Sequence, residues 1–143
     1  MNILVCDDDK EIVNAIEIYL RNEGYEVFKA YDGMEALQIV EKEDIHLILM
    51  DIMMPKLDGM RTTMKIREEK NIPIIMLSAK SEDYDKITGL NVGADDYITK
   101  PFSLRLLQKR IEALFRRARP QISTGMWQYQ DIEVEGKATK RLV

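Results

Sequence analysis

The stretch that decides the fold is LILMDIMMPKLDG, residues 47–59. A run of apolar residues that leads directly into a carboxylate predicts a buried strand ending at Asp51. Strands that are apolar on both faces are typical of parallel sheets covered by helices on each side. We therefore predict an α/β fold, and Asp51 is the first candidate for chemistry because buried acids are often functional.

The remainder of the chain repeats this pattern. Short apolar runs alternate with longer stretches whose apolar residues are three and four positions apart, as in repeated βα units. The predicted strands are residues 2–6, 25–30, 45–50, 73–77 and 96–98. The predicted helices are residues 10–23, 33–43, 57–70, 82–92 and 103–117. Five such units predict a doubly wound sheet, in which the functional residues lie at the carboxyl ends of the strands.

Length and composition limit the class of protein. The 143 residues suit one domain plus a remnant, and no apolar run approaches the roughly 18 residues of a membrane span. The N-terminus lacks the features of a secretion signal, and the single Cys6 cannot form an intramolecular disulfide. We therefore expect a cytoplasmic protein without membrane contact. The net charge of −4 argues against nucleic-acid binding by the chain as a whole.

Acidic residues cluster at the ends of two predicted strands. Asp7, Asp8 and Asp9 follow the first strand, and Asp51 ends the third. A topology with these strands side by side would bring Asp7, Asp8 and Asp51 together. Such crowding raises a carboxylate pKa or recruits a cation, and oxygen ligands of this kind suit Mg²⁺. Asp9 is predicted to cap the following helix.

The fourth and fifth strands bring complementary groups to the same edge. The fourth ends at Ser78, and the fifth runs through Tyr97 toward Lys100. An ammonium group supplies a compact positive charge for phosphate, and a hydroxyl supplies a single hydrogen-bond donor. Together with the acids, these residues predict a metal-dependent phosphate site. Each residue taken alone is also compatible with simple solvation at a strand end.

Four motifs, ILVCDDD, LILMDIMMPKLDG, IIMLSAK and GADDYITKPF, resemble in order and spacing the response-regulator receiver domains of two-component systems. The resemblance covers residues 1–118 and implies a CheY-like sheet of order 2-1-3-4-5. It implies that Asp51 accepts a phosphoryl group from a sensor histidine kinase. It also implies that Asp7, Asp8 and Asp51 hold Mg²⁺ together with the backbone carbonyl of Met53.

The resemblance assigns roles at the other strand ends as well. Lys100 pairs with the phosphoryl group, beside a cis peptide to Pro101. Ser78 bonds a phosphoryl oxygen, and Tyr97 is the switch aromatic that rotates as Ser78 moves. The chain would catalyse only its own phosphorylation and dephosphorylation, so we do not expect an enzyme acting on external substrates.

The motif GADDYITKPF, followed by a predicted helix that ends in FRRARP, further resembles the winged-helix, OmpR/PhoB-like subfamily. This implies a homodimer on activation, through the fourth helix, fifth strand and fifth helix. The matching positions on that face are Lys86, Asp95, Asp96, Arg110 and Arg117. Asp96 with Arg110 is the favoured pair, whereas Leu106 replaces the glutamate that would pair with Lys86. Alternatively, the basic residues only solvate the last helix and complement its dipole.

Residues 119–143 change in character and read as a linker with the incomplete start of a DNA-binding effector domain. Short polar and apolar segments are separated there by Gly125 and Gly136. In the winged-helix subfamily the recognition helix would lie beyond Val143. We therefore expect DNA contact only through an effector domain that is mostly absent from this chain.

Three other functions are weighed against this one. An aspartyl-phosphate hydrolase would need an acid two residues after its nucleophile, where this chain has Met53. A phosphorylation-independent interaction module would not need the complete set of acids, Ser78 and Lys100. A flavodoxin-like FMN protein would need a phosphate-binding loop rich in Ser, Thr and Gly after the first strand, where acids stand instead.

Overall fold

A five-stranded parallel sheet forms the centre of the structure, a computed structural model that describes residues 1–79 and 92–122, with side chains as far as Arg117. The strands are β1 (Asn2–Cys6), β2 (Glu26–Ala30), β3 (Leu47–Asp51), β4 (Ile74–Ser78) and β5 (Asp96–Thr99). Their order is β2-β1-β3-β4-β5, and all neighbouring pairs are parallel. The predicted fold and strand order are therefore confirmed.

The helices begin where a side chain caps them. The described helices are α1 (Lys10–Asn22), α2 (Gly33–Lys42), α3 (Gly59–Arg67) and α4 (Leu104–Ile122). Asp9, Asp32 and Asp58 cap the first three by accepting hydrogen bonds from backbone N–H groups of the first turn. The cap at Asp58 explains why α3 begins two residues later than the predicted Leu57. The helix predicted over 82–92 falls outside the described residues, apart from Val92 in a turn.

The core lies on both faces of the three central strands. Every residue of β3 and β4 is buried, as are all residues of β1 after Asn2. Burying one such aliphatic side chain stabilises the fold by about 1.5–3 kcal/mol. Burial, followed by the negative charge of Asp7, raises the pKa of the Cys6 thiol, so Cys6 is an inert core residue.

The residues from Met1 to Gln108 form one compact unit, and a second unit begins at Lys109. Within the second unit, the ammonium of Lys109 lies 3.8 Å from the carboxylate of Glu112, one turn along α4. No helix of residues 1–79 or 92–122 is both long and apolar enough to cross a membrane.

Arg67 at the end of α3 fastens the start of the edge strand β5. Its Nε donates to the Gly93 carbonyl at 3.0 Å, and its Nη2 donates to Asp95 Oδ2 at 3.0 Å. The same Asp95 oxygen accepts the N–H of Ile74 at 2.8 Å, and the Asp95 N–H donates back to the Ile74 carbonyl. These bonds fix the position of β5 relative to β4 before the chain reaches Lys100.

Replacing Arg67 with Ala is expected to lower the free energy of unfolding by about 1–3 kcal/mol, because it removes the donor to Gly93 and one donor to Asp95. Urea denaturation followed by circular dichroism measures this change. Arg61→Ala is the control, since Arg61 is exposed on the same helix, and it should stay within about 0.5 kcal/mol of the wild type. Equal effects of the two substitutions would contradict a fastening role for Arg67.

Candidate metal and phosphate site

Three carboxylates meet at the carboxyl edge of the sheet. The strands β1 and β3 are adjacent and in register, with Cys6 level with Met50, so the residues that follow them are neighbours. Asp7, Asp8 and Asp51 each offer an oxygen atom, and these atoms lie within 4.8 Å of one another. Asp7 and Asp51 are buried, whereas Asp8 is exposed. The cluster predicted from the strand ends is therefore present.

The loop after Asp51 folds back tightly onto the end of β3. The Gly59 N–H donates to the Ile52 carbonyl at 2.9 Å, which closes the loop at its base. A Cβ atom added to Gly59 would overlap the Asp51 carbonyl oxygen, so any side chain at this position would displace β3 or α3. The glycine of the LDG motif is therefore required by close backbone approach.

Lys100 closes the cluster from the side of β5. Its Nζ lies 2.7 Å from Asp7 Oδ2 and 3.4 Å from Asp51 Oδ1. The Lys100 N–H donates to the Ser78 carbonyl at 2.6 Å, so the backbone that carries the ammonium is anchored to β4. The peptide bond from Lys100 to Pro101 is cis, as expected from the resemblance.

Burial and charge perturb both partners of this contact. Burial, followed by the negative charge of Asp7, raises the pKa of Asp51 to about 6 against the opposing effect of Lys100. Burial alone would lower the pKa of Lys100, but its bond to Asp7 and the charge of Asp51 outweigh burial and raise it. In their ionised forms, the three clustered carboxylates carry more negative charge than the single ammonium of Lys100 offsets. The cluster therefore attracts a cation.

The donor set fits Mg²⁺, which prefers oxygen ligands and keeps several waters. Asp7 and Asp51 supply buried oxygens, while the exposed Asp8 leaves the outer side open to water. Met53 follows Asp51 by two residues and is 68% exposed. Within the described part of the chain, its carbonyl accepts no protein hydrogen bond, so this oxygen is available as the backbone ligand that the resemblance implies.

Ser78 and Tyr97 lie on the two strands that complete the edge. Ser78 is the buried last residue of β4, one position beyond Leu77, which is level with Asp51. Tyr97 lies in β5, is level with Met76 and is buried. The predicted hydroxyl thus lies at the same sheet edge as the acids, while the predicted switch aromatic lies further back in the neighbouring strand.

Comparison with known proteins agrees with this geometry. Residues 3–112 match the sequence profile of the response regulator receiver domain. The chain belongs to this family. The receiver is 50% identical over 115 residues to the regulatory protein VanR of Enterococcus faecium, an alignment that covers 80% of this chain and 50% of VanR. It therefore spans about half the length of that relative.

Solved receiver structures share the fold. The receiver domain of the Francisella response regulator 1452 is 40% identical, with a TM-score of 0.78 over 82% of this chain and 98% of that one. A CheY-like receiver domain protein from Methanospirillum hungatei is 31% identical, with a TM-score of 0.80 over 84% of this chain and 97% of that one. The observed architecture is that of receiver domains.

The residues assigned to the dimer face cannot all be compared within one compact unit of the structure. Lys86 lies outside the described residues, and Arg110 and Arg117 belong to the unit that begins at Lys109. The Asp96 carboxylate accepts the N–H of Tyr97 at 2.8 Å. The pairing of Asp96 with Arg110 therefore stays a prediction.

Two ion pairs of the receiver are not predicted from the sequence. Asp95, assigned above to the dimer face, already pairs with Arg67 of the same chain. Asp32 is 6% exposed and lies 3.5 Å from the ammonium of Lys56 in the loop after Asp51. The Asp-Gly pair before the second predicted helix signals a cap at Asp32, but nothing in the sequence signals its partner.

The perturbed pKa of Asp51 makes the stability of the metal-free receiver depend on pH. Its value of about 6 in the folded state exceeds the value of about 3.9 expected when unfolded, so the folded state binds more protons. This contribution to the free energy of unfolding is present below pH 4 and is lost as the pH rises through 6. At pH 7.5 without metal, Asp51→Asn should therefore raise the free energy of unfolding by about 1–3 kcal/mol.

Urea denaturation at pH 4 and pH 7.5 in EDTA measures this effect. The stabilisation by Asp51→Asn should appear at pH 7.5 and largely disappear at pH 4. Glu69→Gln, which removes an exposed carboxylate from the turn after α3, is the control and should show no such difference. A variant that matches the wild type at both pH values would refute the charge crowding inferred at Asp51.

Proposed function

We propose that this receiver accepts a phosphoryl group on Asp51 from a phosphohistidine of a sensor histidine kinase, in a Mg²⁺-dependent reaction. The observation that carries this proposal is the buried Asp51 carboxylate, which lies beside Asp7 with the Lys100 ammonium in contact with both. An Asp51 oxygen attacks phosphorus in line, the new O–P bond forms as the P–N bond breaks, and the kinase imidazole leaves. Water later hydrolyses the acyl phosphate and restores the carboxylate.

Two positive charges beside Asp51 would stabilise the phosphoryl group during transfer. Mg²⁺, held by Asp7, Asp8, Asp51 and the Met53 carbonyl, would supply positive charge to the phosphoryl oxygens. Lys100 already contacts an Asp51 oxygen at 3.4 Å, so its ammonium needs only a short movement to pair with a phosphoryl oxygen.

The proposed switch uses Ser78, at the end of β4, and Tyr97, further back in β5. The Ser78 hydroxyl donates a hydrogen bond to the phosphoryl group, and Tyr97 turns inward as Ser78 moves. Because β4 and β5 are neighbours, with Met76 level with Tyr97, displacement at one strand reaches the other directly. Phosphorylation thereby shifts an equilibrium between two arrangements of this surface.

An apolar hollow beside Lys100 supports docking of a helical partner. It has a volume of about 520 Å³ and is lined in part by Lys100, whose ammonium contacts Asp51. The residues that line it are Ile12, Ala15, Ile16, Ala79, Lys100, Pro101, Phe102 and Leu104. A kinase helix with apolar residues on one face fits such a hollow and would present its phosphohistidine next to Asp51.

The proposed output is control of transcription by an attached winged-helix domain. The match to about half of VanR is consistent with a receiver that belongs to a longer regulatory protein, with residues 119–143 as the linker and start of the DNA-binding domain. Activation would form a homodimer through the face defined above. The net charge of −4 is consistent with DNA contact outside the receiver itself.

Incubation with acetyl phosphate tests the acceptor directly. In Mg²⁺ the wild-type intact mass should rise by one phosphoryl group, because the ion offsets the repulsion between donor and carboxylates. Without Mg²⁺ the gain should fall by about tenfold or more. Asp51→Asn should show no gain under either condition.

Asp58→Asn is the matched control, because Asp58 belongs to the same loop and asparagine can keep its capping bond to the Arg61 N–H. It should be phosphorylated like the wild type. No gain in the wild type would favour the phosphorylation-independent interaction module, and an equal gain in Asp51→Asn would place the acceptor elsewhere.

A further inference from the structure

The loop between Asp51 and α3 contains a strained turn at Lys56. The Leu57 N–H donates to the Pro55 carbonyl at 2.7 Å, which closes a three-residue γ-turn around Lys56. Lys56 has a φ of 66°, a region that residues other than glycine rarely adopt. This is the rarer and more strained form of γ-turn, so the surrounding structure must hold it in place.

The start of α2 contacts both sides of this turn. Asp32 is 6% exposed, and its carboxylate accepts the Glu35 N–H at 2.9 Å and lies 3.5 Å from the ammonium of Lys56. A Cβ atom added to the next residue, Gly33, would overlap the Leu57 carbonyl oxygen. The ion pair therefore engages the turn at Lys56, while backbone contact engages it at Leu57.

The position of the turn links this contact to the metal site. The loop is fixed at its base by the bond from the Gly59 N–H to the Ile52 carbonyl, and Met53 lies between this base and the turn. Whatever holds the turn at Lys56 also limits the directions that the Met53 carbonyl can take.

We propose that the Asp32–Lys56 ion pair is a positioning contact that aims the Met53 carbonyl at the divalent cation. The inference rests on the proposed function, since it concerns the same site. Neither Asp32 nor Lys56 touches the reacting atoms. Both act through the loop, as outer groups commonly orient the ligands of a metal.

The sign of each substitution separates positioning from simple charge. Lys56 repels a divalent cation and Asp32 attracts it. If the two side chains affected the cation only through their charges, Lys56→Met would tighten metal binding and Asp32→Asn would weaken it. If the pair positions the loop, both substitutions weaken binding by about three- to tenfold. The double variant should then lose no more than the worse single variant, because both remove the same contact.

Binding of Mn²⁺ alone, followed by the electron paramagnetic resonance signal of the free ion, measures these affinities without any phosphoryl transfer. Asp32→Asn can keep the capping bond to Glu35, and Lys56→Arg should keep near wild-type affinity. Lys56→Gly suits the positive φ but cannot form the ion pair, so it should fold well and bind weakly. Lys65→Met, at an exposed site on α3, is the charge-matched control and should not weaken binding.

Melting curves in EDTA show that each variant is folded before its affinity is compared. Weaker binding by both single variants, with rescue by Lys56→Arg, supports the positioning contact. Binding by Lys56→Met as tight as or tighter than that of the wild type overturns it, while phosphorylation of the wild type leaves the proposed function standing. Absence of Mn²⁺ binding by the wild type would overturn both.

Discussion

The contact of the Lys100 ammonium with the carboxylates of Asp7 and Asp51 is the interaction on which the rest of the structure depends. Adjacent parallel strands force two buried acids together, and like charges at such distances repel unless a cation compensates them. One ammonium does not neutralise three carboxylates. The fold thus leaves negative charge uncompensated at this edge of the sheet. A divalent ion can neutralise that charge, and a phosphoryl group on Asp51 would then alter the charge distribution.

The rest of the receiver serves to keep these groups at one edge. Apolar strands buried on both faces fix the sheet, and the strand registers set where each terminal side chain emerges. The edge strand β5, which leads to Lys100, is fastened at its start by Arg67 and at its end by the Lys100 N–H on Ser78. Close approach at Gly59 keeps the loop folded against Asp51. Packing energy is thereby used to hold repelling charges in place.

Much of this could be predicted from sequence, because the decisive signals are local. Apolar runs ending in an acid, hydroxyl or lysine identify the strands and the residues at their carboxyl ends, and the parallel fold brings those ends together. Contacts between distant segments carry no such signal. The pairs Arg67–Asp95 and Asp32–Lys56 join residues whose spacing is not periodic, so no residue of either pair indicates its partner. The predicted start of α3 at Leu57 is two residues too early, because the cap at Asp58 overrides the helical pattern there.

Asp51 is held in a crowded, buried site whose negative charge requires a cation, and this crowding can be measured. Carbon-13 NMR of the aspartate side-chain carboxyl carbons, followed as a function of pH in the metal-free receiver, tests it most directly. We predict one carboxyl with a pKa of about 6, absent in Asp51→Asn, whose titration moves to lower pH when Mg²⁺ is added. Ordinary titration of every aspartate, unchanged by Mg²⁺, would contradict the account.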